Sequence, residues 1–180
     1  MKDLLHLRWQ AVFKGGLSRA LSVILVVLSL TSFAQPAHAR EVQGRLGLGY
    51  NNEFGNAPNY RSNPGVSLKY GLSRDFAIEA IVGIFTGSPG NSVAAGKVFK
   101  NIFLETNLNF YFMTGFGVLS GNSHSGIEVL GGFGAEFFIP GIESLGFAVE
   151  TGGTFNNMSG AYALRTLGVS FLDAGIHFYF

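Results

Sequence analysis

The sequence predicts an all-β protein, an eight-stranded antiparallel up-and-down transmembrane β-barrel that is preceded by a signal peptide. Three observations support this fold class. About eight segments of the chain alternate apolar residues with polar or small ones, which is the period of a β-strand. Only 13% of the residues are charged, roughly half of the usual 25% or so, which suits a surface that meets lipid. The last eight residues form an alternating aromatic strand that ends on Phe180.

The composition excludes several classes of function. The 180 residues include 26 Gly and 18 Phe but no Cys, so disulfides, thiolate metal sites and Cys nucleophiles are ruled out. The formal net charge is +1, but the first 39 residues hold four of the twelve basic and one of the eleven acidic residues. The remainder therefore carries eight basic against ten acidic side chains, so no basic patch indicates nucleic acid. No cofactor is expected.

Residues 1–39 have the pattern of a secretory signal peptide. A basic segment precedes an apolar run at 21–30, and Ala37-His38-Ala39 supplies a small-x-small cleavage site. The apolar run is shorter than the roughly 20 residues that a membrane-spanning helix needs. A retained membrane anchor is the alternative. We therefore predict a signal peptide at 1–39 and an outer-membrane barrel domain at 40–180.

Four alternating strands are predicted in the first half of the barrel, connected by a long polar loop, a tight turn and a Gly/Ser/Pro loop. The fourth is the least regular, because Lys97, Phe99 and Lys100 break its alternation. The predicted strands are 42–50, 65–72, 76–85 and 92–102. The predicted connections are 51–64, 73–75 and 86–91, followed by a short turn at 103–105.

The second half follows the same plan and completes an even number of strands, which brings both ends of the domain to one side. The predicted strands lie at 107–118, 127–137, 145–152 and 165–180. The predicted connections are 120–125, 140–141 and 156–162. The tight turns then fall on the side of the chain ends and the longer loops on the other, as transmembrane barrels require.

Nearly every ionisable residue within the predicted strands has the parity opposite to the apolar side chains. Lys or Arg on a lipid face costs about 2–4 kcal/mol at mid-membrane, so this parity fixes the register and turns the charges inward. We predict an interior charge network of Arg45, Lys69, Glu79, Lys97, Glu136, Glu150, Asp173 and His177. Eight strands leave an interior just filled by side chains, so no open channel is expected. The outward aromatic girdles are predicted as Tyr50, Tyr70, Phe76, Phe110, Phe137 and Phe178.

The final strand carries a further pattern. Asp173, Gly175, Phe178 and Phe180 occupy positions similar to those of the C-terminal insertion signal of bacterial outer-membrane barrels. Together with the signal peptide and the strand count, this pattern makes the chain resemble small Gram-negative outer-membrane barrels of OmpA/OmpX type. The resemblance is to their barrel domain only. The resemblance implies the cell outer membrane, contact with lipid and lipopolysaccharide, and recognition by the barrel-assembly machinery. A soluble sandwich or lipocalin-like barrel is the alternative fold.

The function expected from this pattern is structural or surface-interacting, with no catalysis, in a monomer whose surface ligand the sequence leaves open. A narrow porin-like pore for small or hydrophobic solutes is the first alternative. No metal site is expected, because Asp, Glu and His cluster nowhere at metal-ligand spacing. The loop at 51–64 carries Phe54 and Tyr60 and could bind a partner, but a solvated loop is the default.

A lipid A-modifying enzyme is the remaining alternative. Relatives of the lipid A deacylase use His, Ser and Glu near the outer rim, and His124, Ser123 or Ser125, and Glu128 or Glu136 are the corresponding candidates. Adjacent Ser and His residues in an extended segment point to opposite sides, however, and the His-x-Ser-Asn run of that family is absent. Loop solvation explains this Ser-His-Ser run better.

Overall fold

The computed structural model describes residues 41–51, 53–54, 65–88, 90–121, 124–167 and 172–180. The predicted signal peptide at 1–39 lies outside the described residues. Within these ranges no helix has the length and hydropathy needed to cross a membrane.

The described chain forms one closed, antiparallel all-β barrel. Its strands are β1 Leu46–Asn51, β2 Gly65–Gly71, β3 Phe76–Phe85, β4 Asn91–Glu105, β5 Leu108–Gly121, β6 His124–Ile139, β7 Ile142–Met158, β8 Ala161–Thr166 and β9 Asp173–Tyr179. Strands β1 to β7 pair in sequence order, and β9 closes the cylinder by pairing with both β7 and β1. Because β8 and β9 both lie beside β7, they share the eighth position of the wall. The predicted all-β fold, an eight-stranded antiparallel up-and-down barrel, is therefore confirmed.

Alternation of burial explains why these segments are strands. In β2 and β9 every second residue is buried and the residues between are exposed, so each strand has one lumen face and one outer face. The register of β2 and β3 places Lys69 opposite Glu79, both on the lumen face. A slip of one residue would exchange the two faces of the strand, so the charges themselves specify the register.

One end of the barrel, here called the turn end, holds the short connections at 72–75, 106–107 and 140–141. At the first of them the Ser73 hydroxyl accepts hydrogen bonds from the backbone N–H groups of Asp75 and Phe76. At the third, Gly141 has a φ of 88°, a conformation that residues with a Cβ rarely adopt. The tight turns predicted at 73–75 and 140–141 are thus present.

The opposite end, here called the loop end, departs from the sequence expectation. The segments predicted as loops at 120–125 and 156–162 are largely hairpin strands, because β5 and β6 are separated by two residues and β7 and β8 by Ser159 and Gly160 alone. Positive φ values at these two turn residues, 49° and 89°, match a two-residue hairpin turn with the twist of its strands. Polar composition was therefore a poor guide to loop length at this end.

The irregular alternation predicted for the fourth strand was wrong. Lys97 and Phe99 are both buried on the lumen face of β4 and Lys100 is exposed, so the alternation is intact. Phe99 is an aromatic residue of the lumen, packed edge-on against Tyr111 with ring centroids 5.1 Å apart. The predicted turn at 103–105 is also wrong: a bulge between Asn101 and Phe103 lets β4 continue to Glu105.

The eighth position of the wall is interrupted, which the sequence did not show. Thr166 pairs with Gly153, and Asp173 pairs with Glu150. The two partners in β7, Gly153 and Glu150, are three residues apart, whereas Thr166 and Asp173 are seven residues apart. The segment from β8 to β9 therefore contains four more residues than the facing part of β7. The single strand predicted at 165–180 is therefore two strands in different registers.

Candidate functional site: the lumen charge network

The predicted interior residues come from six strands and meet inside the barrel. Lys69, Glu79, Lys97, Glu136, Glu150, Asp173 and His177 are each at most 6% exposed. Arg45, which precedes β1, is half-buried. Charged groups are buried in proteins only where other charges or hydrogen bonds compensate for the lost water, so their partners decide what the site can do.

Lys97 is the centre of the largest group of carboxylates. Its Nζ lies 3.0 Å from Glu79 Oε2 and 3.1 Å from Glu150 Oε2, and it also contacts Glu53 Oε2. Tyr111 donates its hydroxyl proton to the other oxygen of Glu150, at 2.6 Å. One ammonium group therefore holds β3, β4 and β7 together across the lumen.

Lys69 is the centre of a second group. Its Nζ is 2.9 Å from Glu136 Oε2 and lies over the rings of Phe99 and Tyr111, at 4.4 and 5.1 Å from their centroids. Tyr179 donates its hydroxyl proton to the other oxygen of Glu136, at 2.7 Å. The cation thus has one carboxylate and two aromatic faces as partners, which suits a desolvated ammonium group.

His177 connects the two groups. Its Nε2 lies 3.0 Å from Glu79 Oε1 and 3.0 Å from Ser67 Oγ, and its Nδ1 lies 3.5 Å from Glu136 Oε1. Because an ionised carboxylate can only accept, the hydrogen bond to Glu79 places a proton on Nε2. Gly49 makes room for this ring: a Cβ on Gly49 would lie 2.3 Å from His177 Cδ2.

Arg45 stands apart from these groups, at the turn end. Its Nη2 donates to the Tyr179 carbonyl oxygen at 3.1 Å, and its guanidinium lies 5.8 Å from the centre of the Tyr179 ring. It therefore anchors the last strand to the chain before β1.

Glu53 and Phe54 were not predicted as lumen residues, because they lie in the polar segment read as a loop at 51–64. In the structure both are buried, and Phe54 belongs to the main apolar cluster of the lumen. A Cβ on Gly115 or Gly117 would lie 3.0 or 2.7 Å from the Phe54 ring, so these two glycines provide its space. The only sequence signal was an aromatic residue beside an acidic one in an otherwise polar loop.

A second buried polar group lies toward the loop end, here called the polar trio: Glu128 on β6, with Thr154 and Asn156 on β7. Glu128 is directly opposite Asn156 in the β6–β7 pairing. All three side chains are fully buried. In the described part of the chain, neither the Glu128 oxygens, the Thr154 hydroxyl nor the amide atoms of Asn156 have a hydrogen-bond partner. Arg165, opposite Thr154 on β8, is the nearest basic residue by register.

The residues of the predicted insertion signal occupy the strand that closes the barrel. Asp173 and Gly175 face the lumen, Phe178 is 51% exposed on the outer face, and Phe180 is 64% exposed just past β9. Phe178 pairs with Leu48 of β1 and with Leu145 of β7. Their role as an insertion signal stays a prediction.

The candidates for lipid A chemistry are not assembled into a catalytic arrangement in the described residues. His124 and Ser125 are exposed neighbours at the start of β6, so their side chains take opposite faces of the strand. Glu136 is bound within the lumen network, and Glu128 is fully buried three residues beyond Ser125. A nucleophile needs a base within hydrogen-bond reach, and this geometry provides none for Ser125.

This combination defines a class of protein: a closed, eight-stranded antiparallel barrel with charges inside and apolar side chains outside. No protein-family model and no curated protein sequence matches the chain. Among solved structures, the crystal structure of the N-terminal β-barrel domain of Pseudomonas aeruginosa OprF is similar, with a TM-score of 0.53 at 13% sequence identity. The alignment covers 77% of this chain and 98% of the OprF domain, so the likeness is one of fold, the OmpA-type barrel.

Proposed function

We propose that the chain is an integral outer-membrane barrel with a closed lumen and a structural or surface-interacting role, without catalytic activity. The observation that carries this proposal is the outer surface. The outward position of strand after strand holds a large apolar side chain that is about 40–80% exposed. A soluble protein would leave these side chains in water, whereas a bilayer removes them from it.

Charge is excluded from the same belt. Within the described strands, the exposed charged residues are Lys100, Glu105 and Glu143, which lie level with the turn end, and Arg165 of β8. Arg165 pairs with the buried Thr154 and has the lumen-facing parity, opposite to that of its outward neighbour Leu164. The outward aromatics named from the sequence are at the surface as well: Tyr50, Tyr70, Phe76, Phe137 and Phe178 are exposed, and Phe110 is half-buried by stacking on Phe103. Such rings favour the boundary between lipid and water.

The lumen supports a closed barrel. Lys97, Tyr111, Tyr179, Phe54 and Phe99 are all essentially inaccessible, so charged and aromatic side chains occupy the cross-section together. An eight-stranded barrel has an interior just large enough for such filling. The proposal includes cleavage of 1–39, lipopolysaccharide and lipid as surroundings, the barrel-assembly machinery as a transient partner, and a monomeric state.

The decisive experiment places a charge at two depths of the belt. Leu68→Arg lies in the middle of β2, and Ile84→Arg lies near the loop end of β3. Arg at mid-membrane costs about 2–4 kcal/mol and near the interface about 0–1 kcal/mol. We therefore expect Leu68→Arg to lower the free energy of unfolding in lipid vesicles much more than Ile84→Arg does.

Equal effects of the two variants would contradict the membrane proposal. So would a chain that remains folded and monodisperse without detergent, or one that is absent from the outer-membrane fraction. Unboiled gel migration gives a further readout, since folded transmembrane barrels migrate differently from heat-unfolded ones.

A narrow pore is the second candidate, and the observation that favours it is the charged lining of the lumen. Six strands contribute ionisable groups to the lumen, as a water-filled path would require. Single-channel recordings of the protein in planar bilayers separate the two functions. We expect no conductance in the wild-type protein; reproducible conductance would establish the pore instead.

A further inference from the structure

Three carboxylates from distant parts of the chain converge in the lumen. Glu53 follows β1, Glu150 lies in β7 and Asp173 begins β9; one oxygen of each lies within 4.8 Å of the others. Their exposed fractions are 0%, 3% and 6%. Glu150 and Asp173 are also directly opposite each other in the β7–β9 pairing, an arrangement that destabilises a sheet when both are ionised.

The described part of the chain supplies few partners for these oxygens. Lys97 contacts Glu53 and Glu150, but it is shared with Glu79 as well. Glu53 Oε1 and Asp173 Oδ2 are buried and have no hydrogen-bond partner among the described residues. Buried polar atoms are paired in the great majority of cases, so these two acceptors are available to a ligand.

The charge of the lumen leads to the same conclusion. The connected groups contain five buried carboxylates, those of Glu53, Glu79, Glu136, Glu150 and Asp173. Against them stand the ammonium groups of Lys69 and Lys97 and the His177 imidazole. When all five carboxylates are ionised, five negative charges face at most three positive ones, and two negative charges are left uncompensated.

We propose that Glu53, Glu150 and Asp173 bind one divalent metal cation, and that Ca²⁺ is preferred over Mg²⁺. Carboxylate oxygens are ligands for both ions, but Ca²⁺ accepts an irregular shell of six to eight oxygens whereas Mg²⁺ needs a near-ideal octahedron. Two positive charges would neutralise the lumen. Since Glu53 belongs to the β1–β2 connection, the cation would also tie this connection to β7 and β9.

Tyr111 offers a spectroscopic readout of this site. Its hydroxyl is 2.6 Å from Glu150 Oε1, so Tb³⁺ bound in place of Ca²⁺ should luminesce when Tyr111 is excited. The experiment uses the full chain folded in detergent and stripped with EDTA. We expect saturable Tb³⁺ luminescence, competition by Ca²⁺ at lower concentration than by Mg²⁺, and one Ca²⁺ per chain by calorimetry.

Variants locate the ion. Glu53→Gln and Asp173→Asn should each weaken Ca²⁺ binding by about tenfold or more, because each removes a charged ligand. Glu128→Gln changes another buried carboxylate of the same lumen outside the cluster, and binding should be retained. If Asp173→Asn fails to fold, Glu53→Gln decides, since Glu53 lies outside the strands.

Two results would overturn the proposal. One is the absence of Ca²⁺ binding by the folded wild-type protein at about 5 mM, above the range of weak extracellular sites. The other is unchanged binding in Glu53→Gln. Neither depends on membrane location, so failure here is distinguishable from failure of the proposed function.

Discussion

The lumen contains two buried polar regions that are built in different ways. The network around Lys69 and Lys97 collects groups from seven strands and one connection, and most of its atoms have partners. The polar trio of Glu128, Thr154 and Asn156 comes from two adjacent strands toward the loop end, and its five polar atoms have no hydrogen-bond partner within the described ranges. In the polar trio, two neighbouring strands supply similar polar groups. In the network, opposite walls of a narrow barrel supply complementary charges.

Substitutions in the network and in the polar trio are expected to have opposite effects on the free energy of unfolding. Breaking a partnered buried charge leaves its counterion alone in a poorly solvated site, which is costly. Removing an unpartnered buried group instead relieves an existing penalty. Substitutions in the two regions should therefore change stability with opposite sign.

The largest effect is expected for Lys97→Met. It leaves Glu53, Glu79 and Glu150 without their shared cation and should lower the free energy of unfolding by about 3–5 kcal/mol. The measurement is guanidinium unfolding in detergent micelles or lipid vesicles at neutral pH. Lys100→Met, three residues further along β4 on the exposed surface, is the matched control and should cost far less. Equal losses would show that the network is not the main electrostatic support of the barrel.

The next effect is a coupling between Lys69 and Glu136. In a double-mutant cycle with Lys69→Met and Glu136→Gln, the double variant should lose less stability than the sum of the single variants, by about 0.5–3 kcal/mol. The reason is that the second substitution removes the group that the first left unpaired. Additive losses would mean that the 2.9 Å contact contributes no pairwise energy.

A gain of stability is expected in the polar trio. Glu128→Met keeps a similar side-chain volume and removes two orphan acceptors, so the free energy of unfolding should rise by about 1–3 kcal/mol. Glu136→Met is the control within the partnered network and should be destabilising. A loss of stability in Glu128→Met would show that this carboxylate has a favourable role.

The smallest effect is expected at the surface of the turn end. The Lys100 ammonium, 2.8 Å from Asp75 Oδ2, lowers the pKa of the Asp75 carboxyl, but both side chains are about half exposed and screened by solvent. A lowered carboxyl pKa contributes stability above its unfolded value, and that contribution is lost as the pH falls through the folded value. Asp75→Asn should leave the unfolding midpoint at neutral pH within error; a clear loss would reveal a larger role.

Much of the architecture follows from local pattern. Alternation assigned the strands and placed Lys69, Glu79, Glu136, Glu150 and His177 on one parity, since a strand repeats every two residues whatever its partners are. The same reasoning was wrong for β4, where Phe99 faces the lumen, because an apolar side chain suits either face of a barrel that has aromatic groups inside. Loop lengths at the loop end were overestimated because Asn, Ser and Gly also favour two-residue hairpins.

The sequence by itself determined the class of fold, the inward parity of the charges and the outward apolar belt, because these depend on period and on the cost of charge in lipid. The tertiary structure decided which lysine meets which glutamate, and it brought Glu53 and Phe54 inside. It also decided that Glu53, Glu150 and Asp173 meet, although they are far apart along the chain. Such contacts depend on the closure and stagger of the whole barrel, which sets residues of different strands face to face and which no local pattern encodes.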